Sequence, residues 1–258
     1  MKELNGRELA DYIKERHAHT VKVLRSKKIF PKLAIFYDND SPAIAKYMSL
    51  KQNYGNDIGI EVEITKISTI DAEEMIRAAA EDEKVTGIIV QLPLTECNMS
   101  ILDLIPLKKD VDGLRGESDT ATAMAIHWLL TGYGVDLRGK KIAIVGHGKL
   151  VGAPLEKMWH ESGYDVTVYD KGDDTSTLPE CDVVVTATGV PGLIKSEMLK
   201  YGAIVIDAGT ASEGGILKGD VDDAVRERND LMITPKLGGV GPLTVAMLFE
   251  RVLQAAQK

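Results

Sequence analysis

Short apolar, β-branched runs alternate with stretches whose apolar residues recur at helical spacing, from one end of the chain to the other. The runs predict strands at 33–37, 61–67 and 87–92 in the first half. In the second half they predict strands at 141–145, 165–169, 182–187, 203–207 and 232–234. The amphipathic stretches predict helices at 42–54, 72–80, 122–131, 150–162 and 221–228, and a long last helix at 243–257. Strand–helix alternation with hydrophobic, β-branched strands predicts an α/β fold with parallel sheets covered on both faces.

The charged, Gly-containing segment from Asp110 to Asp119 reads as a linker between two α/β domains. The expectation is a first domain over 1–116 and a Rossmann-like, doubly wound parallel sheet over 117–242. The terminal helix, 243–258, packs back on the first domain, and the cleft between the two holds the ligands. The first 20 residues mix charge with apolar positions at helical spacing and contain no apolar core of a signal peptide. No run approaches the ~18 apolar residues needed to cross a bilayer.

With 39 acidic and 31 basic side chains the net charge is −8, which offers no electrostatic footprint for nucleic acid or anionic lipid. The two cysteines, Cys97 and Cys181, form no metal-ligand spacing and no disulfide framework, which fits a reducing, cytoplasmic setting. The five histidines are scattered. His17 and His19 read as a solvated helix face, and no metal site is expected.

One segment carries a recognisable loop. Gly139 to Gly152 reads as strand, Gly-rich turn and helix start. Gly146 suits a tight turn, and Gly148 lets backbone approach a pyrophosphate. A helix beginning at Leu150 aims its first amides at that phosphate. His147, Lys149 and Val151 complete the loop. Val151 stands where the third fingerprint glycine is expected, with Gly152 one residue later. The next strand runs into Asp170, 24 residues after Gly146, about where the ribose-binding acid of NAD-type folds sits. Thr188 and Gly189 close another strand with small residues against which a nucleotide can lie. A plain tight turn and a solvated strand end remain open as bland readings of the same residues.

The first half holds a polar set. Tyr47 and Lys51 lie at i, i+4 on a predicted helix and share a face. Gln91 ends a buried apolar strand before a Pro turn, the position at which open α/β sheets bind ligands. Asp110 and Asp112 follow in an Asp–Gly turn, itself a common structural device. The Tyr-x-x-x-Lys pair precedes the dinucleotide loop, the reverse of the order in short-chain dehydrogenases.

Taken together, the blocks resemble the methylenetetrahydrofolate dehydrogenase/cyclohydrolase family. They are Tyr47-x-x-x-Lys51, Gly87 to Leu94, Lys109-Asp-Val-Asp-Gly113, Gly146 to Pro154, Gly202 to Asp207 and Thr234 to Thr244, in the family's order. The resemblance implies NAD(P)-dependent oxidation of methylene-tetrahydrofolate to the methenyl cation, then its hydrolysis to formyl-tetrahydrofolate. It implies Lys51 as the central catalytic group, Gln91 holding its amine, Tyr47 orienting the folate and Asp112 pairing with the pterin. Gly239, Val240 and Pro242 shape the wall between folate and dinucleotide. It also implies a homodimer, a reading to which an uncovered sheet edge would contribute. The chain departs from the family in a shortened stretch after Asp112, in Ala121-Thr-Ala-Met for Cys-Thr-Pro, and in His147-Gly148 for Arg-Ser or Ala-Ser. With Asp170 beyond the loop, NAD is expected in preference to NADP. Two competing readings are a shikimate-dehydrogenase-like enzyme and a nucleotide-binding sensor without catalysis.

Overall fold

The computed structural model describes residues 2–116, 119–213 and 216–257. The chain divides into two compact units. One comprises residues up to Ala10 together with Thr122–Thr244, and the other Asp11–Ala121 with Val245–Lys258.

In chain order the elements are β1 (Lys2–Glu3), α1 (Gly6–Ser26), β2 (Lys32–Tyr37), α2 (Pro42–Ile58), β3 (Glu61–Lys66), α3 (Ala72–Glu81) and β4 (Gly87–Val90). There follow α4 (Ala121–Gly132), β5 (Lys141–Val145), α5 (Gly152–Glu161), β6 (Asp165–Tyr169), β7 (Val183–Thr186) and β8 (Ile204–Asp207). A short antiparallel pair, β9 (Ala211–Glu213) and β10 (Ile216–Lys218), precedes β11 (Met232–Ile233) and α6 (Val240–Ala256).

Strands β2, β3 and β4 form a parallel sheet in the order β3-β2-β4. The chain leaves central β2, forms β3 on one side, and returns through α3 to β4 on the other. The order therefore reverses beside β2, and a crevice at the carboxyl ends follows from that topology. Ala34, Phe36, Ile76, Ile88 and Val90 belong to its buried core.

The other unit carries six parallel strands in the order β1-β11-β8-β7-β5-β6. Here the order reverses at β5, whose carboxyl end runs straight into Gly146. Val183, Val184 and Val185 are fully buried, as continuous β-branched strands of a covered parallel sheet must be.

Several expectations are corrected. The first residues are not helix: Lys2 and Glu3 pair in parallel with β11, and helix begins only at Gly6. Two residues carry no periodicity, so this strand leaves no pattern to read. It also places residues up to Ala10 with the six-stranded sheet. His17 is buried, 1% exposed, although His19 is exposed. Ile13, His17, Val21 and Leu24 form one inward stripe of α1, and the histidine fills an apolar position. The segment predicted as helix over 221–228 is a 3-10 turn, Asp223–Glu227, capped by Asp222 and burying only Val225. Helix α5 starts at Gly152 rather than Leu150, and α6 starts at Val240.

Candidate active site

Helix α2 is started by Ser41, whose hydroxyl accepts the Ile44 N–H, and by Pro42 in its first turn. Gly59 ends it at φ 82°. Its inward stripe is Ile44, Met48, Lys51, Gly55 and Ile58. Lys51 thus occupies a core position, 7% exposed. Tyr47, one turn earlier, is half-buried.

A buried ammonium needs partners. Lys51 Nζ donates to Gln91 Oε1 at 2.8 Å. Gln91 leaves the end of β4 with its backbone N–H on Phe36 O, at 2.8 Å. Its Nε2 donates to Leu92 O at 2.9 Å, which turns the amide oxygen toward the lysine. Burial pulls the Lys51 pKa below that of an ordinary lysine, opposed by the charge of Asp112. Burial pushes the Asp112 carboxyl above the usual range, opposed first by Lys51. The two shifts converge, as expected for groups that share a site of low polarity.

Asp110 does a different job. Its carboxyl accepts the N–H groups of Gly113 (2.9 Å), Leu114 (3.3 Å) and Arg115 (3.1 Å). The Asp–Gly turn is therefore held by Asp110, while the charge of Asp112 acts on Lys51. Gly113 is required there: φ is 75°, and a Cβ would lie 2.5 Å from Asp119 O.

Asp38, just past β2, was not singled out from the sequence. Its carboxyl accepts the N–H groups of Thr95 (2.9 Å), Glu96 (2.8 Å) and Cys97 (2.8 Å), pinning the loop that follows Gln91. The available signal was an acidic residue at a strand's carboxyl end.

In the six-stranded unit the loop after β5 is built for close backbone approach. Gly146 has φ 97°, and a Cβ there would lie 2.8 Å from Ala187 O. A Cβ on Gly152 would lie 1.9 Å from Gly146 O, so Gly152 rather than Val151 is the glycine that lets helix pack on strand. Val151 instead occupies the N-cap position of α5, with no side-chain cap. A Cβ on Gly148 would meet nothing within 4 Å. Packing does not require a glycine at 148, and the backbone there is open.

His147 and Lys149 are exposed on this loop. The His147 ring meets the Glu156 carboxylate at 2.6 Å. Asp170 is exposed at the end of β6, its N–H held by Asp173 Oδ2 at 2.7 Å. Thr188 is half-buried, and Gly189 is exposed with φ 69°. Gly239 and Val240 are buried where α6 begins, and Pro242 is half-buried in its first turn. A Cβ on Gly6 would lie 1.9 Å from Gly239 O, so the N-terminal segment packs directly on this stretch. Among the described residues no group of three or more His, Cys, Asp or Glu is placed to hold a metal. No described helix is long and apolar enough to cross a membrane.

Comparison with known proteins agrees with both halves. Residues 4–112 match the tetrahydrofolate dehydrogenase/cyclohydrolase catalytic domain, and residues 120–258 the NAD(P)-binding domain of the same family. The bifunctional protein FolD 2 of Geobacter metallireducens is 35% identical over 99% of this chain and 96% of its own length. The bifunctional methylenetetrahydrofolate dehydrogenase/cyclohydrolase of Campylobacter jejuni superposes with a TM-score of 0.92. It is 34% identical, over 100% of this chain and 99% of that one. The Trypanosoma brucei dehydrogenase-cyclohydrolase, solved with NADP and an inhibitor, gives a TM-score of 0.90. It is 29% identical, over 98% and 96% of the two chains. The match over 4–112 includes the Gln91 and Asp112 blocks that a shikimate-dehydrogenase-like reading leaves unexplained. The chain belongs to the tetrahydrofolate dehydrogenase/cyclohydrolase family, matching both its catalytic domain and its NAD(P)-binding domain.

Proposed function

We propose that Lys51, Gln91 and Asp112 carry the proton chemistry of a methylenetetrahydrofolate dehydrogenase and methenyltetrahydrofolate cyclohydrolase, and that NAD is the preferred dinucleotide. The observation that carries this reading is the buried Lys51 amine, held 2.8 Å from Gln91. An amine so placed has little structural reason to exist, since an apolar residue would complete the α2 stripe better.

The dinucleotide would be held by Gly146, Gly148 and the start of α5 at its pyrophosphate, by Asp170 at its ribose and by Thr188 and Gly189 beyond. When bound it supplies the hydride acceptor for the methylene carbon. The protein's part in that step is positioning. In the hydrolytic step water attacks the methenyl carbon, and a carbon–nitrogen bond then breaks. Lys51, with its pKa lowered by burial, takes one proton from the attacking water and returns it to the departing nitrogen. The remaining hydroxyl proton leaves to solvent as the formyl carbonyl forms, which carries off the charge of the cation. Gln91 fixes where the amine points. Asp112 accepts N–H donors of the pterin and counters the charge on Lys51. Tyr47 lies along the same helix to orient the folate.

A non-catalytic sensor is disfavoured, because no dinucleotide function calls for a buried Lys51–Gln91 pair. The experiment is spectrophotometric. Purified protein is given methylene-tetrahydrofolate with NAD or NADP, and methenyl-tetrahydrofolate without either. Dinucleotide-dependent appearance of the methenyl absorbance, and its accelerated decay in the second assay, are expected. Dinucleotide binding with neither reaction would favour the sensor.

A further inference from the structure

A buried polar network at the carboxyl end of the six-stranded sheet is not used by the chemistry above. Asp220 is fully buried. Its Oδ2 accepts the Thr186 hydroxyl at 2.7 Å and the Thr188 backbone N–H at 2.6 Å. Its own N–H donates to Asp207 Oδ1 at 2.9 Å. The Asp207 carboxyl also accepts Arg226 Nη2 at 2.6 Å, and Arg226 Nη1 donates to Thr234 O at 2.7 Å. One chain of bonds thereby joins the turn that begins at Thr188 to the segment that begins at Thr234 and leads into α6.

Sheet stability alone does not account for this arrangement. Strands β7, β8 and β11 already satisfy one another through their ladders. Thr186 closes an all-valine strand, where another valine would pack without needing a partner. Asp220 Oδ1 has no hydrogen-bond partner among the described residues. The surroundings also make room for both carboxyls: a Cβ on Gly209 would lie 2.0 Å from Asp220 Oδ1, and one on Gly219 2.0 Å from Asp207 Oδ2. Burying a carboxyl with one oxygen unmet costs stability, and apolar replacements at such sites are often neutral or better. What this network does supply is a fixed direction for the Thr188 amide.

We infer that Asp220 is a positioning residue for the dinucleotide, setting the 188–190 turn through the Thr188 amide and the Thr186 hydroxyl. This rests on the reading that Thr188 and Gly189 contact the dinucleotide. The test uses the full-length Asp220→Asn, Asp220→Ala and Thr186→Val proteins. NAD affinity is measured by calorimetry, KM and kcat in the dehydrogenase assay, and methenyl-tetrahydrofolate hydrolysis without dinucleotide. Asp220→Ala should raise KM and Kd for NAD by ~10-fold or more, with hydrolysis within ~2-fold of wild type. Asp220→Asn keeps an acceptor oxygen and should stay within ~3-fold on every measure. Thr186→Val removes one bond and should give a rise of ~3-fold in KM. Hydrolysis falling in step with NAD affinity would overturn the inference, as would an Asn variant as poor as Ala. Should Asp220→Ala not fold, unchanged KM in Thr186→Val would overturn it too. Thr188→Glu separates the two levels. If that variant still binds NAD, the turn is not at the cofactor. If it loses NAD while the Asp220 and Thr186 variants bind normally, only the positioning role fails.

Discussion

The charge balance around Lys51 is the finest-grained feature that the proposed chemistry depends on. Burial disfavours the ammonium, and Asp112 favours it. If the neutral amine is the base, hydrolysis rises with pH as Lys51 loses its proton, and the inflection lies below the 10.5 of an ordinary lysine. Asp112→Asn removes the opposing charge and leaves desolvation alone. The inflection should then fall further. Rates corrected for uncatalysed hydrolysis across pH check this, and an inflection that stays put or rises would detach Asp112 from Lys51. Cofactor choice is set at the same scale. A site for NADP needs positive charge and hydroxyl donors at the adenosine ribose. Here Gly148 has no hydroxyl, and any charge on the His147 ring is met by Glu156 at 2.6 Å. In the proposed site Asp170, just past β6, would accept ribose hydroxyls and repel a phosphate. The ratio of kcat/KM for NAD over NADP should exceed ~10, and Asp170→Ser should lower it by about 10-fold. A wild-type preference for NADP, or a ratio insensitive to Asp170, would remove that role.

Between elements, the best-defined contact is where α1, α2 and α6 meet. Tyr54 of α2 stacks on Phe249 of α6 at 4.9 Å and meets His17 Nδ1 at 3.0 Å through its hydroxyl. His17 Nε2 reaches Glu250 Oε2 at 2.8 Å, and Arg16 reaches the same oxygen at 2.6 Å. The tautomer with its proton on Nε2 satisfies every partner, taking the tyrosine hydroxyl on Nδ1. His17, followed by Arg16, draws the Glu250 carboxyl down to about 2 from 4.5. A depressed carboxyl stabilises above its unfolded pKa and loses that contribution as pH falls through the folded one. Glu250 is a quarter exposed, so solvent screening reduces its worth to about 1–2 kcal/mol. Glu250→Gln should therefore lower Tm at pH 7, and the gap to wild type should close as pH drops from ~4.5 toward 2. A gap constant with pH would mean packing alone is lost. This contact also marks a limit of sequence reading. Long apolar strands and amphipathic helices announce themselves by period, and most were legible. A histidine inside an apolar stripe looks like charge on a surface helix until its partners, 233 and 37 residues away, are in place. The two-residue β1 and the 3-10 turn at Asp223–Glu227 are too short for any period. Gly152 became the packing glycine only once α5 was seen to start there. Lys51 had a stronger signal than its spacing from Tyr47, namely its place in the stripe of Ile44, Met48 and Ile58.

At the scale of the whole molecule, two compact units carry separate portions of the proposed chemistry. Lys51, Gln91 and Asp112 belong to the unit built on the three-stranded sheet. Gly146, Gly148, Asp170 and Thr188 belong to the unit built on six strands. Ordered blocks across nearly the whole chain made the family readable from sequence. Asp38 and Asp220 stayed hidden because each acts on backbone N–H groups, which carry no residue identity. The division makes the two functions separable by substitution. Lys51→Met keeps the length of the side chain and suits the apolar stripe of α2, while removing the only amine in that stripe. Gln91 is left with an unmet oxygen, at a cost of about 1–3 kcal/mol that the better packing partly offsets. The variant should therefore fold with a Tm near that of wild type. Hydrolysis of methenyl-tetrahydrofolate should fall by at least ~100-fold, the usual worth of a positioned acid–base group. The Kd for NAD should stay within ~2-fold, because every residue proposed to hold the dinucleotide lies in the other unit. Calorimetry and the absorbance assay on one preparation decide the matter. Hydrolysis at the wild-type rate would show that Lys51 is not the catalytic group. Loss of NAD binding alongside hydrolysis would show that the two units do not work as independent ligand sites.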